Sequence, residues 1–381
     1  MIERKYKEAI SLILKCDAER IFLYWKGRVA LYAILKAMGI KKDDEVILPA
    51  FTCVVVPNAI IYLGAKPVYV DISTETLNME IDLIEDAITP KTKVIICQNT
   101  FGLSSNIEEI NEIAKKHKLF TIEDCTHGFG GVYNGKPNGS YCDAAFYSTQ
   151  WNKPFSTGIG GFAAINNLEL LGKMQQLENE KLQPSIIEQF ALAALIILKK
   201  YFINRFTYWS LVKLYRFLSN KNLIIGSNQG EELSGITIPK KYFKDISLIQ
   251  IITGIKELKK NDSINNLRQK NATAYTRFLM ENGKTHIAMN FFENHLFLRY
   301  PVLVENRESF LALAEKSKIS VGDWFLSPIH PVKQKFDLWK LNMNNFPIAC
   351  SISQRIVNLP TDIKDNREVL NFLNSNLEMI K

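Results

Sequence analysis

The sequence predicts an α/β fold whose largely parallel sheet is covered on both faces. The first observation is a set of short runs that are apolar on both faces, as buried strands are. These runs are residues 45–48, 67–71, 94–97, 120–123, 144–147 and 161–165. The second observation is that helix-like stretches such as 107–118 separate the runs, which is the alternation that a parallel sheet requires. Ligands bind such sheets beyond the carboxyl ends of strands, so chemistry is expected at Asp124 and over 148–153.

The chain is long enough for two domains. Its 381 residues are 47% hydrophobic and 23% charged, which is the composition of a folded globular protein. We predict a large domain over 1–235 and a smaller C-terminal domain over 236–381, joined by a linker-like run at 226–230. The small domain is predicted to contain helical sequence over 246–279, a strand over 296–304 and a terminal helix from about Asn366.

Composition argues against several classes of protein. The six cysteines form no CxxC pair and no zinc spacing, so we predict no metal site and expect reduced thiols. A formal net charge of +8 could suggest nucleic acid, but no helix-turn-helix, zinc-finger or aromatic RNA-binding signature accompanies it, so no nucleic-acid partner is expected. Residues 1–16 mix charged with apolar residues and contain no long apolar core, so secretion is not expected. A cytoplasmic protein is predicted.

Two residues at predicted strand ends indicate pyridoxal phosphate. Lys153 lies between the strand-like run 144–147 and the glycine-rich turn at 158–161, and Asp124 follows the run 120–123. Pyridoxal phosphate needs a lysine amine, which holds it as a Schiff base, and an anion beside its pyridine nitrogen. Taken singly, Lys153 could be a turn residue and Asp124 a helix N-cap. Together they favour the cofactor.

Other residues could complete a cofactor site. The run Lys26-Gly27-Arg28-Val29 precedes a helical stretch, so its backbone amides could hold a phosphate at a helix N-terminus, and Arg28 would add charge. Ser148 could donate its hydroxyl to the same phosphate, although a serine there could also be a turn residue. His127 could contact the cofactor ring, with a structural histidine as the alternative.

Ordered motifs run through most of the chain. They occupy residues 44–49, 51–52, 64–72, 77–78, 87–93, 101–102, 122–128, 148–161, 328–330, 346–349 and 358–360. In content and order they resemble the DegT/DnrJ/StrS-type nucleotide-sugar aminotransferases. The resemblance implies the architecture of aspartate aminotransferase, fold type I of pyridoxal-phosphate enzymes. In that fold a large domain with a mixed, mostly parallel sheet carries a smaller α+β C-terminal domain.

The resemblance also implies roles for the candidate residues. Lys153 would form the Schiff base with pyridoxal phosphate, Asp124 would pair with the pyridine nitrogen, His127 would lie near the ring and Ser148 would bind phosphate. Lys153 would also move a proton in both half-reactions, a role that needs a neutral amine with a lowered pKa. The amino group would come from L-glutamate and pass to a keto-sugar nucleotide in surface-glycan biosynthesis. A homodimer is implied.

Several positions depart from the family pattern. Lys26-Gly27-Arg28 stands where the family usually has Ser-Gly-Thr for phosphate binding, and Cys53 stands where an aromatic side chain often stacks on the cofactor. Gln150 occupies a position where many members carry histidine, and the usual Asn-Tyr-Arg segment is not recognisable. Two alternatives therefore stay open. One is a non-catalytic or regulatory relative that retains the fold, and the other is a cofactor-dependent sugar dehydratase or lyase, which Lys153 disfavours.

A helical, apolar and basic insert is predicted over 168–225. Its part at 186–220 interleaves aromatic with basic residues, a composition suited to a helix that lies on an anionic membrane. Its apolar run at 190–198 is too short to span a bilayer. The favoured interpretation is a helical pair in a dimer interface or over the active site, and peripheral membrane contact is the alternative.

Overall fold

The computed structural model describes residues 1–204, 206–221, 224–226, 232–233 and 235–381. Arg205 of the insert and residues 227–230 of the predicted linker lie outside the described residues. The helices are α1 Ile2–Leu14, α2 Gly27–Ala37, α3 Val55–Ile61, α4 Ile107–His117, α5 Leu168–Glu178, α6 Ile186–Phe202, α7 Tyr208–Asn220, α8 Leu248–Leu258, α9 Asn261–Glu281, α10 Arg307–Lys316, α11 Pro347–Arg355 and α12 Arg367–Ser375. The strands are β1 Ile21–Tyr24, β2 Glu45–Pro49, β3 Thr52–Cys53, β4 Lys66–Val70, β5 Thr92–Gln98, β6 Phe120–Asp124, β7 Val132–Tyr133, β8 Lys136–Pro137, β9 Ala144–Ser148, β10 Gly161–Ile165, β11 Tyr300–Leu303, β12 Ile329–His330 and β13 Ile356–Leu359.

The main sheet has seven strands in the order β1-β10-β9-β6-β5-β2-β4. The run from β9 to β4 is parallel, and β10 pairs antiparallel with both β9 and β1. All six predicted strands are present with bounds that differ by at most two residues at either end. The α/β fold class is therefore confirmed. β1 was not predicted.

Both faces of the sheet are covered because its central strands alternate between two cores. Val46, Val94 and Ile96 belong to the core that includes helix α2, whereas Ile47 and Ile95 belong to the core that includes helix α4. Successive residues of a strand point to opposite faces, so each central strand needs apolar residues at nearly every position. This is why the strands are continuous apolar runs in the sequence.

The small domain has its own core, which starts at helix α9. Ala272, Tyr275 and Leu279 of α9 pack with β11, β13, α10 and α12. Helix α8 instead contributes Ile251 and Leu258 to a core shared with α1 and the main sheet. This packing favours a boundary near 260, and we propose that position in place of the predicted one at 235/236.

Two predicted elements of the small domain are shorter than expected. The helical sequence at 246–279 forms two helices, α8 and α9, that are separated at residues 259–260. The strand expected at 296–304 is limited to β11 because Phe297 has a left-handed backbone, with φ of 55°, which interrupts an extended chain.

The insert folds into helices α5, α6 and α7. α6 begins with a capping box in which the side chains of Ser185 and Glu188 satisfy each other's backbone amides. α7 is tied to the small domain by ion pairs from Lys213 to Glu315 and from Arg216 to Asp323. Within the ranges described, no helix combines the length and the apolar content that crossing a membrane requires.

Candidate functional site

The candidate site lies at the carboxyl edge of the main sheet. Asp124 ends β6 and Ser148 ends β9, and these strands are parallel neighbours with Asp124 opposite Phe146. The chain then turns back through residues 149–160 into the antiparallel strand β10, where Gly161 faces Ser148. The turn carries Lys153 to the same edge as Asp124, as expected from the strand order.

Hydrogen bonds fix the turn that carries Lys153. The backbone amide of Thr149 donates to the carbonyl of Gly160 at 2.9 Å, and the amide of Thr157 donates to the carbonyl of Thr149 at 2.8 Å. The side-chain amide of Gln250, from α8, donates to the carbonyl of Ile159 at 2.6 Å. These contacts close the turn at its base, so Lys153 starts from a fixed backbone.

Helix α2 points its N-terminus at the ends of β9 and β10 because two glycines allow a close approach. A Cβ on Gly161 would lie 2.2 Å from the Cα of Gly27, and a Cβ on Gly27 would lie 2.8 Å from the carbonyl oxygen of Tyr147. The N-terminus of the helix therefore faces the strand ends, which is a favourable place for an anion. The amide of Val29 donates to the carbonyl of Lys26 within this turn.

One cavity brings most of the predicted site residues together. Its lining includes Gly27, Arg28, Cys53, Asp124, Ser148, Gln150 and Lys153. Val29 and His127 are not in the lining. Cys53 reaches the cavity from β3, which pairs with β12 of the C-terminal part of the chain.

Lys153 is partly buried beside groups that affect its charge. Its Nζ lies 3.4 Å from Oγ1 of Thr126 and 5.0 Å from the centroid of the Trp324 ring. Burial lowers the pKa of Lys153 to about 8, although the nearby Asp124 carboxylate opposes the shift. An amine with that pKa is partly neutral near neutral pH, so it can act as a nucleophile or as a proton carrier.

Asp124 is buried. Its Oδ1 accepts a hydrogen bond from the backbone amide of Thr126 at 2.9 Å. Burial raises the pKa of Asp124, while the Thr126 contacts and the charge of Lys153 lower it. A cation placed against this carboxylate would favour its ionised form.

The N-terminus of α2 carries two cations and one carboxylate. Arg28 forms a buried ion pair with Glu232, whose backbone carbonyl accepts from the side chain of Asn58. Lys26 is in the cavity lining, and burial lowers its pKa to about 8. One positive charge is in excess when all three are ionised, which suits an additional anion at the helix terminus.

His127 contacts the site through Trp324. Its ring stacks on Trp324 with centroids 4.9 Å apart and planes within 5°, and its Nδ1 accepts from the backbone amide of Phe101 at 3.2 Å. Burial lowers the pKa of His127 well below its ordinary value, so the ring is neutral and carries its proton on Nε2. Trp324 is thus in contact with both His127 and Lys153.

The sequence reasoning missed several residues of the site. Lys26 precedes Gly27 and Thr126 precedes His127, so the motifs that predicted those residues could also have predicted these two. Trp324 lies 171 residues after Lys153, and Glu232 lies 204 residues after Arg28. No local pattern marks them because their role depends only on tertiary packing.

The donor set matches the needs of pyridoxal phosphate better than those of a metal ion. The cavity provides a lysine amine of lowered pKa, a buried carboxylate, a serine hydroxyl and a cationic helix terminus. The amine suits the aldehyde, the carboxylate suits the ring nitrogen, and the hydroxyl and the helix terminus suit the phosphate. Among the residues described, no group of histidine, cysteine and acidic side chains is arranged to hold a metal.

Comparison with known proteins adds independent information. The profile of the DegT/DnrJ/EryC1/StrS aminotransferase family matches residues 25–191 and 244–371. The chain is 41% identical over 156 residues to a GDP-perosamine synthase of Escherichia coli O157:H7, an alignment that covers 41% of this chain and 43% of that protein. The chain thus matches less than half the length of that relative.

Two further comparisons extend over nearly the whole chain. A dTDP-3-amino-3,6-dideoxy-alpha-D-galactopyranose transaminase of Aneurinibacillus thermoaerophilus is 29% identical over 359 residues, which cover 93% of this chain and 83% of that one. The solved structure of NtdA from Bacillus subtilis, with its bound cofactor PMP, superposes with a TM-score of 0.72 at 21% identity, covering 100% of this chain and 78% of that one. The structural likeness supports the fold.

Proposed function

We propose, from the premise that this chain belongs to the DegT/DnrJ/EryC1/StrS aminotransferase family, that it is a pyridoxal-phosphate-dependent aminotransferase acting on a keto-sugar nucleotide. The observation that carries the proposal is a single cavity in which the partly buried Lys153 and the buried Asp124 lie beside the cationic N-terminus of α2. A lysine amine of lowered pKa and a buried carboxylate that line one cavity beyond the ends of parallel strands are the arrangement expected of a functional site.

The residues of the cavity divide the binding of the cofactor among them. Lys153 would hold the aldehyde carbon, Asp124 would face the pyridine nitrogen, and Ser148 with the amides of Gly27 and Arg28 would hold the phosphate. Lys26 and Arg28 would balance the phosphate charge. When bound, pyridoxal phosphate supplies an electron sink that stabilises negative charge on the substrate carbon next to nitrogen.

Lys153 would then carry the proton. Its Nζ starts within reach of Thr126 Oγ1, and its lowered pKa lets it accept a proton from a substrate carbon and return it elsewhere. Asp124 keeps the site anionic where a protonated ring nitrogen is needed, and burial excludes water that would compete for the proton. Both halves of a transamination need these steps, so one lysine can serve both.

The proposed amino donor is L-glutamate, and the proposed acceptor is a keto-sugar nucleotide of surface-glycan biosynthesis. Support for the acceptor comes from the names of the relatives, which include a GDP-perosamine synthase and a transaminase of a dTDP-linked amino sugar. The decisive experiment is the visible spectrum of the cofactor-loaded protein before and after excess L-glutamate. We expect L-glutamate to abolish the cofactor band. A keto-sugar nucleotide added afterwards should restore the band, and its product should contain nitrogen.

Other outcomes of that experiment would favour the alternatives. A cofactor band that ignores every amino donor, with no conversion of a sugar nucleotide, would indicate a non-catalytic relative. Conversion to a product without nitrogen would indicate a dehydratase or lyase. A protein that takes up no cofactor would contradict the proposal as a whole.

We also propose a cytoplasmic homodimer, and the exposed face of α6 is relevant to it. Ile187, Phe190, Ile197 and Tyr201 recur at helical spacing along that face and are all more than half exposed. Three basic residues of the insert already have partners within the protein. Lys199 donates to the carbonyl of Trp151, and Lys213 and Arg216, which stay more than half exposed, form ion pairs with carboxylates. This pattern disfavours an anionic membrane as the partner of the insert. Light scattering for mass and sedimentation with anionic vesicles at low salt would test the two interpretations.

A further inference from the structure

A second cavity, with a volume of about 200 Å³, adjoins the first one at Lys153. The insert contributes Lys199 from α6 and Tyr208 from the start of α7, and the small domain contributes Arg299 and Asp362. The family profile does not match residues 192–243, so this part of the wall comes from a segment outside the family match. The insert therefore contributes part of the wall of this cavity.

The charges in this cavity are unbalanced. Lys153, Lys199 and Arg299 line it, and Asp362 is the carboxylate among the lining residues. Arg299 Nη1 lies 3.7 Å from Oδ1 of Asp362, which is an ion pair beyond hydrogen-bond distance. Burial raises the pKa of Asp362, but the charges of Arg299 and the buried Arg268 outweigh that effect. The pKa is lowered overall, so this carboxylate is charged. Positive charge remains in excess.

Lys199 is held so that its ammonium group borders the cavity. Its Nζ donates to the backbone carbonyl of Trp151 at 2.6 Å and lies 5.3 Å from the centroid of the Trp151 ring. An ammonium has three N–H donors, and a carbonyl partner does not neutralise its charge. Burial lowers the pKa of Lys199 to about 8. The charges of Asp362 and Glu257 oppose this shift. Partial burial of an ammonium group costs free energy, which an anion bound directly to it would offset.

We propose that this second cavity is a subsite for an anionic group of the substrate, held by Lys199 and Arg299 next to Lys153. The inference rests on the proposed function. Two sources of the anion fit, namely the phosphate of a keto-sugar nucleotide and a carboxylate of the amino-acid donor. The volume suits either group, and cationic nitrogen donors bind both with charge-assisted hydrogen bonds.

The test uses the cofactor-loaded full-length protein and compares Lys199→Met with Lys200→Met. Lys200 is the next residue of α6 and is exposed, so its replacement removes the same charge and leaves the cavity unchanged. Calorimetric titrations with pyrophosphate and with glutarate measure anion binding without turnover. Loss of one charge-assisted hydrogen bond is expected to weaken binding about tenfold or more for Lys199→Met and to leave Lys200→Met like the wild type.

The two sources predict different patterns. If the phosphate occupies the subsite, Lys199→Met weakens the binding of pyrophosphate and raises KM for the sugar nucleotide. The half-reaction with the amino donor is then unchanged. If the donor carboxylate occupies it, glutarate binding weakens and the spectral titration with glutamate shifts to higher concentration. Lys199→Arg should restore most of the affected affinity in either case. Unchanged binding of both probes in Lys199→Met would overturn the proposal.

A structural role of Lys199 is separated by stability and by a second variant. If Lys199 only ties α6 to Trp151, its replacement lowers the melting temperature and leaves the affinity of the folded fraction for both probes unchanged. Should Lys199→Met not fold, Arg299→Gln tests the same cavity from the small domain, with the same expected loss and the same overturning result. Failure of the wild type to react with any donor would count against the proposed function, while the anion titrations would still decide the subsite.

Discussion

At the scale of single residues, Lys153 is the position on which the proposed chemistry depends most directly. Lys153→Ala should abolish covalent uptake of pyridoxal phosphate and lower turnover by about a thousandfold or more, since a general acid–base residue contributes factors of this order. Borohydride reduction followed by peptide mapping of the wild type should locate the cofactor on this lysine. Lys173→Ala, at an exposed position of α5, is the matched control and should behave as the wild type. A Lys153→Ala protein with undiminished transaminase activity would remove Lys153 from the mechanism.

The lowered pKa of Lys153 predicts a pH dependence for cofactor uptake by the cofactor-free protein. Only the neutral amine attacks an aldehyde, and the neutral fraction grows as the pH rises through the pKa of about 8. The uptake rate should therefore increase about tenfold between pH 7 and pH 9 and then level off. Stopped-flow absorbance measures it.

A companion variant tests the cause of that pH dependence. Because the Asp124 carboxylate raises the pKa of Lys153, Asp124→Asn should move the inflection to lower pH. An inflection near 10, the ordinary value for lysine, would contradict the burial of Lys153. An unmoved inflection in Asp124→Asn would mean that the two charges do not interact.

The residues that could be predicted from the sequence are those whose position follows from strand ends. Asp124 and Ser148 end neighbouring parallel strands, so the sequence order alone places them at one edge. Trp324, which contacts both Lys153 and His127, could not be predicted, because it reaches the site from a segment far along the chain. The same is true of Glu232 beside Arg28. Packing selects such residues, and packing leaves no periodic signal.

At the scale of elements, the junction of α2 with β9 and β10 depends on glycine. In Gly161→Ala the new methyl carbon would lie 2.2 Å from the Cα of Gly27, a backbone atom that cannot move without shifting the helix. We expect the free energy of unfolding to fall by about 1–3 kcal/mol or more, and cofactor binding to weaken. Chemical denaturation and cofactor titration measure the two effects.

A control for this prediction exists in the same chain. Gly172 lies in helix α5 with nothing within 4 Å of a built Cβ. Gly172→Ala should stabilise the protein by about 0.5–1 kcal/mol because alanine favours the helix. If both variants shift stability in the same direction and by the same amount, close packing at the α2 junction is not the cause.

The elements differ in how far the sequence determines them. The central strands are apolar at nearly every position, so their bounds were predicted closely. β1 is as long as several of the predicted runs, and it was missed because it precedes the alternation of strands and helices from which those runs were recognised. The insert was predicted as helical and apolar, but its contact with the cavity beside Lys153 depends on how α6 and α7 cross the domains, which amphipathic spacing does not encode.

At the scale of the whole molecule, the two domains are connected by more than one passage of the chain. After the small-domain core begins at α9, the segment that includes Phe325, Ile329 and Trp339 returns to the core of the large domain. β12 extends β3, and the indole nitrogen of Trp339 donates to the side chain of Asn58 at 2.6 Å. The order of the residues therefore does not divide the molecule into two consecutive folding units.

This interleaving predicts the behaviour of a truncated chain. Residues 1–260 expressed alone should not form a stable domain, because the apolar surface that Phe325, Ile329 and Trp339 bury would be exposed to water and Asn58 would lose its partner. The full chain should instead unfold in a single transition in which fluorescence and circular dichroism change together. Bound cofactor should raise the temperature of that transition. Circular dichroism melts of both proteins provide the comparison. If the fragment melts cooperatively at a temperature near that of the full chain, the returning segment adds little to the stability of the large domain. The chain could then be divided into two consecutive domains.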